Sequence, residues 1–379
     1  MKILMVAGES SGDTHGAALM SELNQIASQL TFYGIGGPLM LKQGINAYYT
    51  IDSLRVHGLV ELIPHLPRLY KILWHLRDSL SIEKPDFAIL VDYPGFNLKL
   101  AAHLEKQNIP VIWYCSPQVW AWRKGRIHKI AQFVDKIIVL FPFEEQIYRN
   151  VGVNASFLGH PRVEDTVSSE QIDHFKQKYH QDTTKPMITL AIGSRPSEIK
   201  FHLPIVLEAL ALLKVQGFEA NYILPVADSL DFEWVQAQVQ ESTVPVNTLQ
   251  NTFLESIHAA DAAIVASGTA TLQTGLALTP FILIYKVAPL TFWLAKKMAQ
   301  IPYLGIVNIL AQRFIVPELL QNDLTPPRVA QEILRILDDP AHRKQMIENL
   351  SSIRSQLGEP GAYQRAAQCI QEFMLKHKK

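Results

Sequence analysis

What most constrains this chain is a repeated texture. Short apolar runs end in Gly, Ser or Asp, and each is followed by a helix-like stretch. That alternation builds a parallel sheet with helices over its faces. In the first half the runs are Ile3–Ala7, Thr31–Ile35, Phe87–Val91, Val111–Cys115, Lys136–Leu140 and Ala155–Leu158. Their apolar, β-branched texture suits strands buried on both faces. From Glu164 to Lys185 the chain turns polar, as a surface helix and loop near a domain boundary would. The pattern then restarts with Met187–Ile192, Ala220–Leu224, Val246–Leu249, Ala262–Ala266 and Phe281–Tyr285. From Pro326 onward the period is helical, punctuated by Pro340 and Pro360.

A chain of 379 residues exceeds one ordinary core. The two series therefore predict an α/β protein of two doubly wound, Rossmann-like domains facing a central cleft. The first spans residues 1–170 and the second 171–335. Helices over 336–379 either cross back to the first domain or reach a partner subunit, as in a homodimer. Ligands are expected at the C-terminal ends of the strands.

Lys+Arg and Asp+Glu balance at 35 each, so no global field recruits nucleic acid. The N-terminus is apolar for only a few residues before Glu9 and Asp13, too few for a signal peptide. No apolar run approaches the roughly 20 residues of a membrane-spanning helix. Cys115 and Cys369 are the two cysteines, which leaves no disulfide framework and no cysteine zinc cluster. The expectation is a cytoplasmic protein in peripheral contact with a membrane.

Four loops carry chemistry. Gly8, Glu9, Ser10, Ser11, Gly12 and Asp13 follow the first strand and open a helix. The turn either brings backbone amides to an anion or is simply a tight, capped strand-to-helix connection. Its spacing is neither G-x-G-x-x-G nor a P-loop. Asp92 ends its strand before Tyr93-Pro94-Gly95, where a carboxylate serves as a general base or as a turn residue. Gly193-Ser194-Arg195 and Ser267-Gly268-Thr269-Ala270-Thr271 each lie between a strand and a helix, and together they suit a nucleotide diphosphate.

Two further stretches concern lipid or sugar. Trp113, Trp120 and Trp122 stand near Arg123, Lys124, Arg126, His128 and Lys129. Such a patch stacks on sugars, clamps a phosphate, lies at a bilayer, or is an aromatic core beneath a basic helix. The stretch containing Leu59, Val60, Leu62, Ile63, Leu66, Leu69, Tyr70, Leu73 and Trp74 interleaves Arg68, Lys71 and Arg77. It reads either as a core helix or as an interfacial helix on anionic lipid.

Taken in order, these strings resemble the lipid-A-disaccharide synthase family. The strings are Gly8–Asp13, Asp92–Asn97, Ser116–Arg123, Gly193–Arg195, Ser267–Leu272, Thr291–Lys296 and Pro317–Gln321. The resemblance implies a metal-independent, cofactor-free, inverting GT-B glycosyltransferase of lipopolysaccharide synthesis in Gram-negative cells. Such an enzyme joins UDP-2,3-diacylglucosamine to 2,3-diacylglucosamine 1-phosphate at the inner membrane. Its products are the β-1,6-linked disaccharide 1-phosphate and UDP.

By motif, Asp92 becomes the base. Ser194, Arg195, Ser267, Gly268, Thr269, Ala270 and Thr271 hold the UDP diphosphate, and Gln273, Asn308 and Glu318 complete the donor site. Gly8, Ser10, Ser11, Gly12 and Asp13 form the acceptor loop. Trp120, Trp122, Arg123 and Arg126 make a phosphate and lipid patch, with Leu66, Leu69, Tyr70, Leu73 and Trp74 touching the membrane. The chain departs from the family pattern in two places: Gln273 replaces a usual Glu, and Ala191-Ile192 replaces Leu-Pro. The rival expectations are a UDP-N-acetylglucosamine 2-epimerase, a lipid-linked N-acetylglucosaminyltransferase, and a non-catalytic UDP-sugar-binding protein.

Overall fold

The computed structural model describes residues 1–379 apart from 28, 55–61, 121–124, 181, 290–291, 293–301 and 378–379, together with the side chains of 62–64 and 81. Leu59, Val60, Trp122, Arg123 and most of the Thr291–Lys296 string lie outside the described residues.

Among the described residues thirteen strands form two sheets. The first holds β1 Lys2–Ala7, β2 Thr31–Gly36, β3 Asn46–Thr50, β4 Phe87–Val91, β5 Val111–Tyr114, β6 Lys136–Val139 and β7 Asn154–Phe157. The second holds β8 Met187–Ala191, β9 Asn221–Val226, β10 Val246–Gln250, β11 Ala262–Ala266, β12 Phe281–Tyr285 and β13 Glu318–Leu320. Pairing is parallel throughout, in the orders β3-β2-β1-β4-β5-β6-β7 and β10-β9-β8-β11-β12-β13. Both are doubly wound, Rossmann-like α/β arrangements. Strand order reverses between β1 and β4 in one, and between β8 and β11 in the other.

Two edge strands escape the sequence pattern. β3 is half-exposed along Asn46–Thr50 and so lacks a continuous apolar run. β13 is three residues long, too short to show a period.

The chain divides into two units, Met1–Pro161 with Gly358–Lys379, and Arg162–Leu357. The C-terminal helices are therefore shared out. Pro326–Asp338 and Pro340–Gln356 belong to the second unit, and Ala362–His377 to the first. Pro340 sits in the first turn of its helix, where a missing N–H costs nothing.

Within the first unit, Ala362–His377 packs its buried face of Ala366, Ala367, Ile370, Phe373 and Met374 into the cluster around Met5, Leu19, Met20 and Phe87. Arg365 Nε donates to Leu158 O at 2.8 Å. On the sheet's other face, Leu62–Ile82 buries Ile72, Leu73, Leu76 and Leu80 against Leu90, Leu100 and Trp113. Each such side chain contributes about 1.5–3 kcal/mol on burial. Leu73 is thus a core residue, which corrects its expected place at a lipid surface. The helix turns it inward together with Ile72 and Leu76.

Candidate functional site

The four loops singled out by sequence converge pairwise on the two reversal points. Gly8–Asp13 leaves β1 and Asp92 leaves β4, the strands at which the first sheet reverses. Gly193–Arg195 leaves β8 and Ser267–Thr271 leaves β11, at the reversal of the second. Adjacent loops diverge to opposite faces at such a point and leave a crevice there.

At the first reversal the backbone is strained. Asp92 and Tyr93 are consecutive non-glycine residues with φ of 45° and 49°. Each such residue costs of order 1 kcal/mol or more. Asn97, fully buried, holds the turn: its Nδ2 donates to Asp92 O at 2.7 Å and Val91 O at 3.2 Å. The Asp92 carboxyl is half-buried, and its pKa is raised to about 6. Burial is the main cause and the Glu9 carboxylate adds to it, while the Tyr93 backbone N–H opposes both. A carboxylate so poised is a better proton acceptor than an ordinary aspartate, yet remains ionised at neutral pH.

The glycine-rich turn divides its labour. Asp13 is buried, and its carboxylate accepts from the amides of Gly37, Leu39 and Met40 at 2.8, 3.0 and 3.0 Å. It caps the helix Pro38–Lys42, so its placement in an acceptor loop is corrected to an internal anchor. Gly12 packs its helix onto Ala7, with room for no more than a tight Cβ at 3.3 Å. Glu9, Ser10 and Ser11 remain exposed at the mouth.

Trp120 is likewise buried. Its Nε1 donates to Glu144 Oε1 at 2.8 Å, and its ring meets Phe143 edge-on at 5.0 Å. Glu144 also accepts from the Phe141 and Leu140 amides at 3.0 and 3.2 Å, capping the helix Pro142–Arg149. Burial pushes its pKa up to about 7. Trp120 therefore wedges its loop in place and does not stand on an open patch. Arg126 is half-exposed at the start of the helix Arg126–Phe133.

At the second reversal, Gly193 adopts φ of 146°, and a Cβ there would lie 2.5 Å from Glu198 Cβ. Glu198 Oε2 accepts from the Ser194 and Arg195 amides at 2.8 and 3.3 Å, while Oε1 pairs with Arg195 Nη1 at 3.1 Å. Arg195 is 72% exposed, so one edge of its guanidinium is held and the rest faces solvent. Gly268, at φ 150° and ψ −161°, stands at the N-terminus of the helix Thr269–Leu276 and gives it no side-chain cap. Ser267, Gly268, Thr269 and Ala270 form the open lip of this loop. Thr271 is buried, and its hydroxyl donates to Gly268 O at 2.8 Å, so it shapes the loop from within.

Gln273 is half-buried on the same helix, and its Nε2 donates to Asp165 Oδ2 at 2.7 Å. Asn308 is fully engaged internally. Its Nδ2 donates to Val316 O and Glu318 Oε1, and its Oδ1 accepts from the Ile315 and Val316 amides. It fixes Glu318, which also accepts from the Gly305 and Leu304 amides. Asn308 is thus a support for Glu318, a correction to its place among donor ligands.

Sequence reasoning missed Glu198, His202, Asp165 and Glu144. Glu198 had a signal, lying three residues past the residue before Pro196. Glu144 carries the same signal beside Pro142, three residues past Phe141, whereas His202 and Asp165 act through contacts more distant in sequence. His202 is buried, with Nδ1 against Ile192 O at 2.6 Å and Nε2 accepting from the Lys286 amide at 2.9 Å. It ties the end of β8 to the end of β12 across β11.

On Leu62–Ile82, Leu66, Tyr70 and Trp74 are exposed at i, i+4 and i+8, and Leu69 is half-buried. Lys99 Nζ lies 4.0 Å from the Tyr70 ring centre, and Arg77 lies over Trp74 at 5.5 Å. No described helix is long and apolar enough to cross a membrane. Among the described residues no group of three His, Cys, Asp or Glu could hold a metal ion.

A family model described as Lipid-A-disaccharide synthetase matches residues 3–373. The lipid-A-disaccharide synthase of Myxococcus xanthus is 38% identical over 373 residues, 98% of this chain and 97% of its own. The UDP-GlcNAc 2-epimerase of Neisseria meningitidis, solved bound to UDP-GlcNAc, aligns with a TM-score of 0.63 at 14% identity, over 99% of this chain and 100% of its own. The calicheamicin glycosyltransferase CalG4 aligns at 0.60 and 14% identity, over 100% and 99%. Those two structural likenesses are of fold: paired Rossmann-like domains of the GT-B kind.

Proposed function

The chain belongs to the lipid-A-disaccharide synthase family, and from that membership we propose that it joins UDP-2,3-diacylglucosamine to 2,3-diacylglucosamine 1-phosphate with inversion. The observation that carries this reading is the coincidence of the expected loops with both reversal points, one holding a carboxyl raised to about 6 and the other an exposed arginine. The acceptor's 6-hydroxyl attacks the donor's anomeric carbon while Asp92 takes its proton. The bond from that carbon to the UDP oxygen breaks, and UDP leaves with the electron pair. Opposite-face attack converts an α donor into a β-1,6 linkage.

Arg195 and the uncapped amides of the Gly268 turn meet the charge of the leaving diphosphate. A guanidinium and a helix N-terminus supply the electrostatic help that a metal gives elsewhere, so this reading requires no metal or cofactor. Gln273 accepts from a ribose hydroxyl. The exposed Leu66, Tyr70 and Trp74 lie on an anionic lipid surface, with Lys71, Arg77 and Lys99 around them, and hold the protein peripherally at the inner membrane.

The epimerase reading shares the fold but lacks family-level identity, 14% against 38%. A non-catalytic UDP-sugar binder would not need a raised carboxyl at the first reversal. The test is product analysis: the purified protein, given both diacylated substrates, yields a β-1,6-linked disaccharide by proton NMR. An α-linked product, or an unlinked 2-epimer of the donor, overturns the reading.

A further inference from the structure

Gln273 is an amide at a position where the proposed function asks for an acceptor. An amide is ambiguous there, because its two ends have opposite polarity and nearly identical shape. Left to itself, the group would present NH2 as readily as oxygen to a passing hydroxyl.

The second unit removes that ambiguity. Asp165 Oδ2 lies 2.7 Å from Gln273 Nε2. An ionised carboxylate only accepts, so it selects the NH2 end of the amide and turns Oε1 away. Asp165 is itself fixed, since the same Oδ2 pairs with Arg162 Nη1 at 3.2 Å. Among the described residues no donor reaches Gln273 Oε1. The amide is thus oriented and half-buried, with its acceptor atom open.

We propose that Asp165 is a positioning residue for the nucleotide ribose, holding Gln273 so that it presents only an acceptor oxygen. This rests on the reading of Gln273 as a ribose contact. Oriented in this way, the amide has the polarity of a glutamate carboxylate without its charge. The two positions are then coupled. A glutamate at 273 would put a second carboxylate within hydrogen-bonding distance of Asp165, and two such groups repel. Residue 273 is therefore not interchangeable with Glu while 165 is Asp.

Calorimetric titration with UDP and with 2′,3′-dideoxy-UDP tests this. The wild type is expected to favour UDP by about fivefold or more, the worth of one ordinary hydrogen bond. Gln273→Ala abolishes the preference. Asp165→Ala also loses most of it while binding the dideoxy compound as the wild type does. Gln273→Glu alone loses it, and the exchange Asp165→Asn with Gln273→Glu regains it, because the amide introduced at 165 now donates to the new carboxylate.

Failures are distinguishable. A preference that survives Gln273→Ala, or is absent in the wild type, removes the ribose contact and the inference with it. A preference that survives Asp165→Ala removes the inference alone. Equal loss of both ligands in Asp165→Ala marks a merely structural residue and also overturns it. Should that variant not fold, the double exchange decides, and failure to regain the preference is the contrary result.

Discussion

The ring of Tyr93 occupies the space that a side chain on Gly8 would need: a Cβ there would stand 2.1 Å from Tyr93 Cγ. Tyr93 is pinned at its other end, its hydroxyl donating to Leu54 O at 2.9 Å. The glycine that opens the first loop is therefore required by the residue next to Asp92. Gly8→Ala should displace Tyr93 and with it the strained Asp92 turn. We expect kcat for UDP release to fall by about tenfold or more, because catalysis tolerates little misplacement of a base. UDP affinity, assigned to the second unit by the proposed function, should change by less than about twofold. Steady-state kinetics beside a UDP titration checks both.

The carboxyl of Asp92 sets a pH dependence. A base raised to about 6 is protonated below that value, so activity should rise through about pH 6 and level off above it. The stability effect has the opposite sense. The folded pKa exceeds the unfolded one, so the protonated form favours folding; this stability is present in acid and is lost as pH rises through about 6. Asp92→Asn should thus stabilise the fold at pH 8 by about 1–2 kcal/mol, discounted for partial exposure, with the gain vanishing below about pH 4. Denaturant melts at the two pH values measure it.

Much of this was legible because buried parallel strands announce themselves. Phe87–Val91, Ala262–Ala266 and Phe281–Tyr285 are unbroken apolar runs, and the loops after the first two carry Asp92 and Ser267. The edge strands β3 and β13 had no such run to show. What the sequence leaves open is the direction in which a polar side chain points. Asp13 and Asn308 have the residue types of ligands, yet backbone amides engage both of them. Conversely, Asp165 and Gln273 meet across 108 positions, and His202 and Lys286 across 84, separations at which no local pattern operates.

His202 accepts the Lys286 amide through Nε2, which requires the neutral ring with its proton on Nδ1. Burial lowers its pKa from the ordinary 6.5. The stability it confers is therefore complete above about pH 6.5 and is lost as pH falls through the depressed folded value. His202→Ala removes the partner of a part-buried amide and of a buried carbonyl and should cost about 1–3 kcal/mol. Since β8 and β12 flank the Ser267 loop, UDP affinity should fall with it. Thermal melts and UDP titration of the variant check this.

Leu73 and Trp74 are sequence neighbours with opposite surroundings, 3% and 60% exposed. Leu73→Ala should destabilise the fold by about 2–5 kcal/mol. Trp74→Ala should leave stability within about 0.5 kcal/mol and weaken binding to anionic vesicles. Co-sedimentation at low and high salt reads the second effect; an unchanged bound fraction in Trp74→Ala would remove this helix as the membrane contact.

In the proposed function, Asp92 at the first reversal takes the acceptor proton during sugar transfer. This role is tested most directly by UDP release from UDP-2,3-diacylglucosamine and 2,3-diacylglucosamine 1-phosphate, comparing wild type with Asp92→Asn at pH 8. The wild type should release UDP rapidly, and the variant should lose about a hundredfold or more in kcat with UDP affinity retained. Near-wild-type release by Asp92→Asn would contradict that role.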